Sequence, residues 1–145
     1  MIGFFEHQYL SYKKNHIKNL LALAKADGSV HEKEQKMLFK IGKRYGLKDH
    51  QVQALIDSHE KFQINVPDNH EDKMNILYDL VLMVYADGVI AKKEITFCEN
   101  VVKKFEMKKE VVHWLLHEVF DKGTPPDPEE WNELKKVAKE RFILN

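Results

Sequence analysis

One eight-residue phrase occurs twice, as Asp27-Gly28-Ser29-Val30-His31-Glu32-Lys33-Glu34 and, sixty residues later, as Asp87-Gly88-Val89-Ile90-Ala91-Lys92-Lys93-Glu94. It constrains the fold more than any other feature, because each copy stands between two stretches whose apolar residues recur at helical spacing. Before the first copy, Leu10, Ile17, Leu20, Leu21, Leu23 and Ala24 predict an amphipathic helix from about His7 to Ala26, with Lys13, Lys14, Lys18 and Asn19 on its polar side. A residue without Cβ takes the left-handed conformation cheaply just past a helix end, so Gly28 and Gly88 read as stops. Each phrase is therefore a joint between two helices.

The duplication is wider than the phrase. Placing residue n on residue n + 60 gives twelve identities over the forty-four positions that pair Lys13–Ile56 with Lys73–Leu116. Many other pairs are conservative, among them Val30 with Ile90, Ile41 with Val101, Tyr45 with Phe105 and Leu47 with Met107. Each copy spans three helical patterns. In the first copy, a second helix is predicted from about His31 to Tyr45, burying Met37, Leu38, Ile41 and Tyr45 and stopped by Gly46. A third follows from about Lys48 to Lys61, with Val52, Leu55, Ile56 and His59 on its buried stripe.

Phe62 to Asn69 holds β-formers, but it is short and contains Pro67, so it reads as an extended connector. Asn69, with Asp72 three residues on, caps a helix that continues through Met74, Leu77, Leu80, Val81 and Val84 to Ala86. That helix is apolar on more than one face and should be the most buried. Ile95, Cys98, Val101, Val102 and Phe105 mark a fifth helix, and Val111, Val112, Leu115, Leu116 and Val119 a sixth, ended by Gly123 to Pro126. Asp127-Pro128-Glu129-Glu130 is a restart signal for a last helix carrying Trp131, Leu134, Val137, Ala138 and Phe142. Two copies with a period near sixty argue against an extended solenoid. The expected fold is all-α: a single domain over 1–145, a compact bundle of about seven helices. It is built from two pseudo-symmetric three-helix repeats, about 13–56 and 73–116, with a C-terminal helix closing the apolar surface they leave open.

At 145 residues the chain is long enough to bury a core without staples. Its one cysteine, Cys98, falls on an apolar helical pattern and reads as a small buried hydrophobe, compatible with a reducing compartment. Twenty-three basic residues balance twenty-three acidic ones, which gives no reason to expect nucleic acid or an anionic membrane as partner. Glu6 and His7 interrupt any signal-peptide core, and no run approaches the ~20 apolar residues of a membrane span, so no membrane insertion is expected. A soluble, cytoplasmic protein is the expectation.

The phrase itself admits a structural and a functional reading. Structurally, Val30 and Ile90 are staples, Glu34 and Glu94 sit where carboxylates favour the positive helix end, and Asp27 and Asp87 satisfy loop amides. A capping box, however, wants Ser, Thr, Asp or Asn where His31 and Ala91 stand, so the glutamates persist beside poor caps. Functionally, Asp27, Glu34, Asp87 and Glu94 read as oxygen ligands for a hard divalent cation, calcium, magnesium or manganese, and their spacing alone does not say whether the two turns share an ion. Asp-Gly-x-Val-x-x-x-Glu also matches the second half of an EF-hand loop. Its first half fails, because the two missing ligand positions hold Leu23 and Lys25 in one copy and Met83 and Tyr85 in the other.

With its twofold Ala-Asp-Gly-x-aliphatic-x-x-x-Glu, at Ala26 to Glu34 and Ala86 to Glu94, the chain resembles the TerB-like (tellurite resistance protein B) family. That fold also occurs at the amino terminus of a membrane-anchored DnaJ-type co-chaperone. The resemblance covers roughly Ile17 to Val119. It implies a seven-helix domain with an acidic surface proposed to bind metal, in bacterial proteins linked to tellurite resistance and stress. His31 and Ala91 depart from the family's usual polar caps. Tellurite itself is an oxyanion that four converging carboxylates would repel, so a cation-dependent sensing or scaffolding role, or an acidic face for a protein partner, is the better physical fit.

Other candidates are weaker. His113 and His117 share a helix face but lack a third ligand, and read as a solvated pair. Lys13-Lys14, Lys103-Lys104 and Lys135-Lys136 read as solvated faces. Without a phosphate loop or a nucleophile constellation, the chain is expected to be non-enzymatic; a metal-dependent hydrolase using the same carboxylates is the alternative of a different class.

Overall fold

The computed structural model describes residues 4–27, 30–59, 61–86, 88, 90–121 and 124–144, the side chains of 4–12 and 27 excepted. It is all-helical. In chain order the elements are α1 (Phe4–Ala24) with a 3-10 turn at its end (Lys25–Asp27), α2 (Glu32–Arg44), α3 (Asp49–Asp57), α4 (His70–Tyr85), α5 (Lys92–Lys104), α6 (Glu110–Trp114) running into a π turn (Leu115–Val119), and α7 (Pro128–Arg141). Among the described residues there is no strand, only an isolated antiparallel bridge between Met107 and Ile143.

The chain divides into two compact units, Met1–Asn65 and Val66–Asn145. The division falls inside the Phe62–Asn69 connector, which is extended as its sequence predicts.

In the first unit α1, α2 and α3 pack on one another, with Ile17, Leu20, Leu21, Leu38, Ile41 and Val52 buried. α2 and α3 approach closely at Gly42 of α2, where a Cβ would meet Cγ2 of Val52 at 2.6 Å. Asn19 is not on a solvated face, as its spacing suggested: it is 2% exposed. Its Oδ1 accepts from the Asn65 amide (2.8 Å) and its Nδ2 donates to the Asn65 carbonyl (3.3 Å), clasping the connector to α1. An extended backbone has no ladder of its own, and a buried polar side chain can supply what it lacks.

In the second unit, α4 buries residues around several faces, Met74, Ile76, Leu77, Leu80, Val81, Met83 and Val84 among them, in agreement with its multi-sided apolar pattern. α7 lies against it. Trp131 packs on Tyr78 (4.9 Å between ring centroids) and donates its indole N–H to Asn75 (3.2 Å). Lys135, 7% exposed, reaches Glu71. Beyond α7, Phe142 packs on Trp114 (5.2 Å), while its carbonyl accepts from Lys108 and the Leu144 amide donates to Glu106.

Local signals set most helix starts. Asn69 Oδ1 accepts from the Asp72 amide and Asp127 Oδ1 from the Glu130 amide, both at 2.8 Å, with Pro128 at the first position of α7. Three ends differ from expectation. α1 gives way to the 3-10 turn at Lys25. α3 stops at Asp57 instead of Lys61, and His59 is exposed rather than on the buried stripe. Here the Lys25 ammonium takes the Ser58 carbonyl (2.7 Å) and lies over the Phe62 ring, so a tertiary contact ends the helix. The sixth helix widens into a π turn, closed by the Phe120 amide on the Leu115 carbonyl (2.8 Å), and Tyr85 donates its hydroxyl to the Leu116 carbonyl. Lys25 and Tyr85, sixty residues apart, thus each tie the end of one helix to a carbonyl near the end of another.

The turns after α2 and α5 carry a testable contrast. Gly46 sits at φ +82°, and its counterpart sixty residues on, Glu106, at +59°. A side chain in this region costs roughly 1–2 kcal/mol, against which the extra unfolded-state freedom of glycine offsets about 0.4–1. Glu106→Gly is expected to stabilise the protein by about 0.5–1 kcal/mol, and Gly46→Ala to destabilise it by a similar amount, as measured by chemical denaturation. Loss of stability in Glu106→Gly would contradict this account.

Candidate functional site: two acidic helix joints

The first joint runs from the 3-10 turn at Lys25–Asp27 to α2, and the second from the end of α4 to α5. Gly88 adopts φ +79°, as a stop requires. The N-cap residues His31 and Ala91 are both extended, with ψ 155° and 142°, and neither side chain makes a capping hydrogen bond. The glutamates supply the cap instead. Glu34 Oε1 accepts from the His31 amide (3.1 Å) and Glu94 Oε1 from the Ala91 amide (3.3 Å), the half of a capping box that does not depend on the N-cap side chain. In the first joint Gln35 adds a bond from its Nε2 to the Val30 carbonyl (3.2 Å). Glu34 is 4% exposed and Glu94 is half-buried.

These contacts account for part of what the sequence left unexplained, since each glutamate has a backbone amide to satisfy whether or not a ligand is present. One turn further along α5, Cys98 is buried. Burial pushes its thiol up to about 12, with Glu94 and then Glu99 adding to the shift, so it stays neutral and unreactive at ordinary pH, as its apolar setting suggested.

Of the four predicted ligands, Glu34 and Glu94 are therefore placed. The side chain of Asp27 and all of Asp87 lie outside the described residues, as do Gly28, Ser29 and Val89. Among the described residues, no group of three or more His, Cys, Asp or Glu stands close enough to hold a metal ion. The donors that are placed are hard carboxylate oxygens, a chemistry that fits calcium, magnesium or manganese.

The His113 and His117 rings stack at 5.9 Å and both are exposed, on the rim of a shallow hollow of about 340 Å³ lined by Glu110, Trp114, Glu118, Arg141 and Phe142. No described helix is long and apolar enough to cross a membrane. Four buried polar residues among those described went unrecognised in the sequence: His16, Asn19, Asp79 and Lys135, the last of which was expected on a solvated face and instead is buried and pairs with Glu71. Asn19 and Asp79 lie sixty residues apart and are 2% and 0% exposed, so a polar residue recurring within a buried stripe was the available signal.

The elements define an all-helical protein with two glutamate-capped acidic joints. The family model for tellurite resistance protein TerB matches residues 20–117, a span that contains both joints. The chain belongs to the TerB family. No curated protein and no solved structure matches it.

Proposed function

We propose that this protein is a non-enzymatic, tellurite-resistance-like module of a bacterial stress response, acting in the cytoplasm, whose duplicated acidic joint binds a divalent cation or presents an acidic face to a protein partner, or does both. The observation that carries the reading is the pair of glutamates held in place at the two joints, Glu34 through the His31 amide and Glu94 through the Ala91 amide. A carboxylate already oriented by an amide loses less freedom when it meets an ion. The same position also opposes a cation, because a helix N-terminus carries roughly +0.5 charge. One glutamate per joint leaves only a small negative excess. Asp27 and Asp87 would raise it, so in this reading the aspartates decide whether an ion binds.

The test is calorimetric titration of calcium, magnesium and manganese into the wild-type chain and into Asp27→Asn/Asp87→Asn. The expected result is saturable binding of at least one cation and a rise in Tm, both lost in the double variant. No heat and no thermal shift with any of the three in the wild type would overturn the cation reading.

A further inference from the structure

The two units treat one equivalent helix face differently. In the second unit, α4 and α6 present Tyr78 and Trp114, and α7 spans them, with Trp131 on Tyr78 at one end and Phe142 on Trp114 beyond the other. Sixty residues earlier, the same positions on α1 and α3 are Lys18 and Ala54. That face is open. Ala54 and His50 are exposed, and a hollow of about 530 Å³ lies along Lys14, Lys18, Gln51 and Leu55 as far as Ser58. At Ser58 it meets a second hollow of about 620 Å³, lined by Ala22, Lys25, Lys61 and Phe62 among others.

Four lysines and one carboxylate, Asp57, line this groove, so its charge is predominantly positive. Lys14, Lys18, Ala22 and Lys25 fall at i, i+4, i+8 and i+11, a single row along α1 and its 3-10 turn. Lys61 faces them from the connector side. Among the described residues, Lys14, Lys18, Lys25 and Lys61 make no ion pair. The carboxylate lining the groove, Asp57, accepts from Gln53 (2.9 Å). Between the cations lie apolar patches, half-buried Leu55 and Phe62 and the methyl of Ala54, alongside polar Gln51 and Ser58.

We propose that this groove is the docking site for an acidic amphipathic helix of a partner protein, laid across α1 and α3 as α7 is laid across α4 and α6. The partner's apolar stripe would occupy the place that Trp131 and Phe142 fill in the second unit. Its flanking carboxylates would meet the lysine row, whose aliphatic stems add to the apolar patches. A single-stranded nucleic acid fits less well. Stacking bases need an open aromatic face, whereas the Phe62 ring has the Lys18 and Lys25 ammoniums over it at 5.8 and 4.9 Å. The site uses none of the four carboxylates of the acidic joints and stands whether or not they bind a cation.

The test uses the full chain and three labelled probes in fluorescence anisotropy. Two are synthetic helical peptides with the same leucine stripe, one flanked by glutamate and the other by lysine, and the third is a uridine oligonucleotide. The glutamate peptide is expected to bind at least tenfold more tightly than the lysine peptide and to weaken as salt rises. Lys14→Glu/Lys18→Glu should weaken it at least tenfold. Ala54→Trp, which places at position 54 the side chain found at Trp114, should do the same while leaving the helical circular dichroism unchanged. Equal binding of the two peptides, or undiminished affinity in Ala54→Trp, would overturn the proposal. Tighter binding of the oligonucleotide than of the glutamate peptide would likewise overturn it, as would a concentration-dependent dimer that Ala54→Trp dissolves.

Discussion

Trp131→Ala is expected to lower the unfolding free energy by about 3–5 kcal/mol, the usual range for removing a buried large aromatic side chain. Trp131 is 7% exposed, stacks on Tyr78 at 4.9 Å and gives its indole proton to Asn75, so the substitution removes the packing, the hydrogen bond and the principal ring contact between α7 and α4 together. Tyr78 in turn packs edge-on against Phe120 (5.1 Å), so the loss reaches the end of the π turn. The measurement is chemical denaturation followed by circular dichroism, with hydrogen exchange to locate the effect. Amides of α4 and α7 should lose protection, and Trp131→Phe should recover part of the stability. A loss below about 1 kcal/mol would show that α7 is held mainly by Lys135–Glu71 and by the Phe142 contact.

Gly42→Val is expected to cost about 2–3 kcal/mol. Valine gains slightly over glycine in helix propensity, by roughly 0.3–0.5 kcal/mol. That gain is outweighed by overpacking, because the new Cβ alone would stand 2.6 Å from Cγ2 of Val52. In the n + 60 register of the sequence, Gly42 is paired with Val102 and Val52 with Val112, and both valines are buried. The second unit thus carries a larger side chain at the paired position than the first. In a double-mutant cycle, Gly42→Val with Val52→Ala should show a favourable coupling of at least 1 kcal/mol, since the cavity from one change receives the bulk of the other. Additive costs would mean that the clash is relieved elsewhere.

Both substitutions concern contacts that a sequence pattern does not report. The repeat identifies positions 42 and 102 as partners but gives no sign that Val52 presses on one of them. Similarly, the spacing of Asn19 put it among lysines, and only its two bonds to Asn65, 46 residues away, explain why it is buried. The end of α3 followed the same rule. Nothing between Asp57 and Lys61 forbids a helix, and it is Lys25 that takes the Ser58 carbonyl and ends it.

The site was legible to a comparable degree. The phrase marked Glu34 and Glu94 and placed them at the start of α2 and α5, and the structure adds that each caps its own helix through the N-cap amide. The basic groove was invisible because its lysines come from α1 and from the connector after α3, each of which alone reads as a solvated stretch. Its outline emerges only where Lys18 and Ala54 stand in for Tyr78 and Trp114.

By itself the sequence determined the helical class, the caps at Asn69 and Asp127, the stops at Gly46 and Gly88 and the extended connector. Each is a choice made among residues a few positions apart, where backbone sterics and local hydrogen bonds dominate. Tertiary structure decided where α3 ends, where the π turn falls, what Asn19 holds and which face of the first unit stays open. Those outcomes depend on side chains brought together from distant parts of the chain, and packing them against one another overrides the local preference of any single segment.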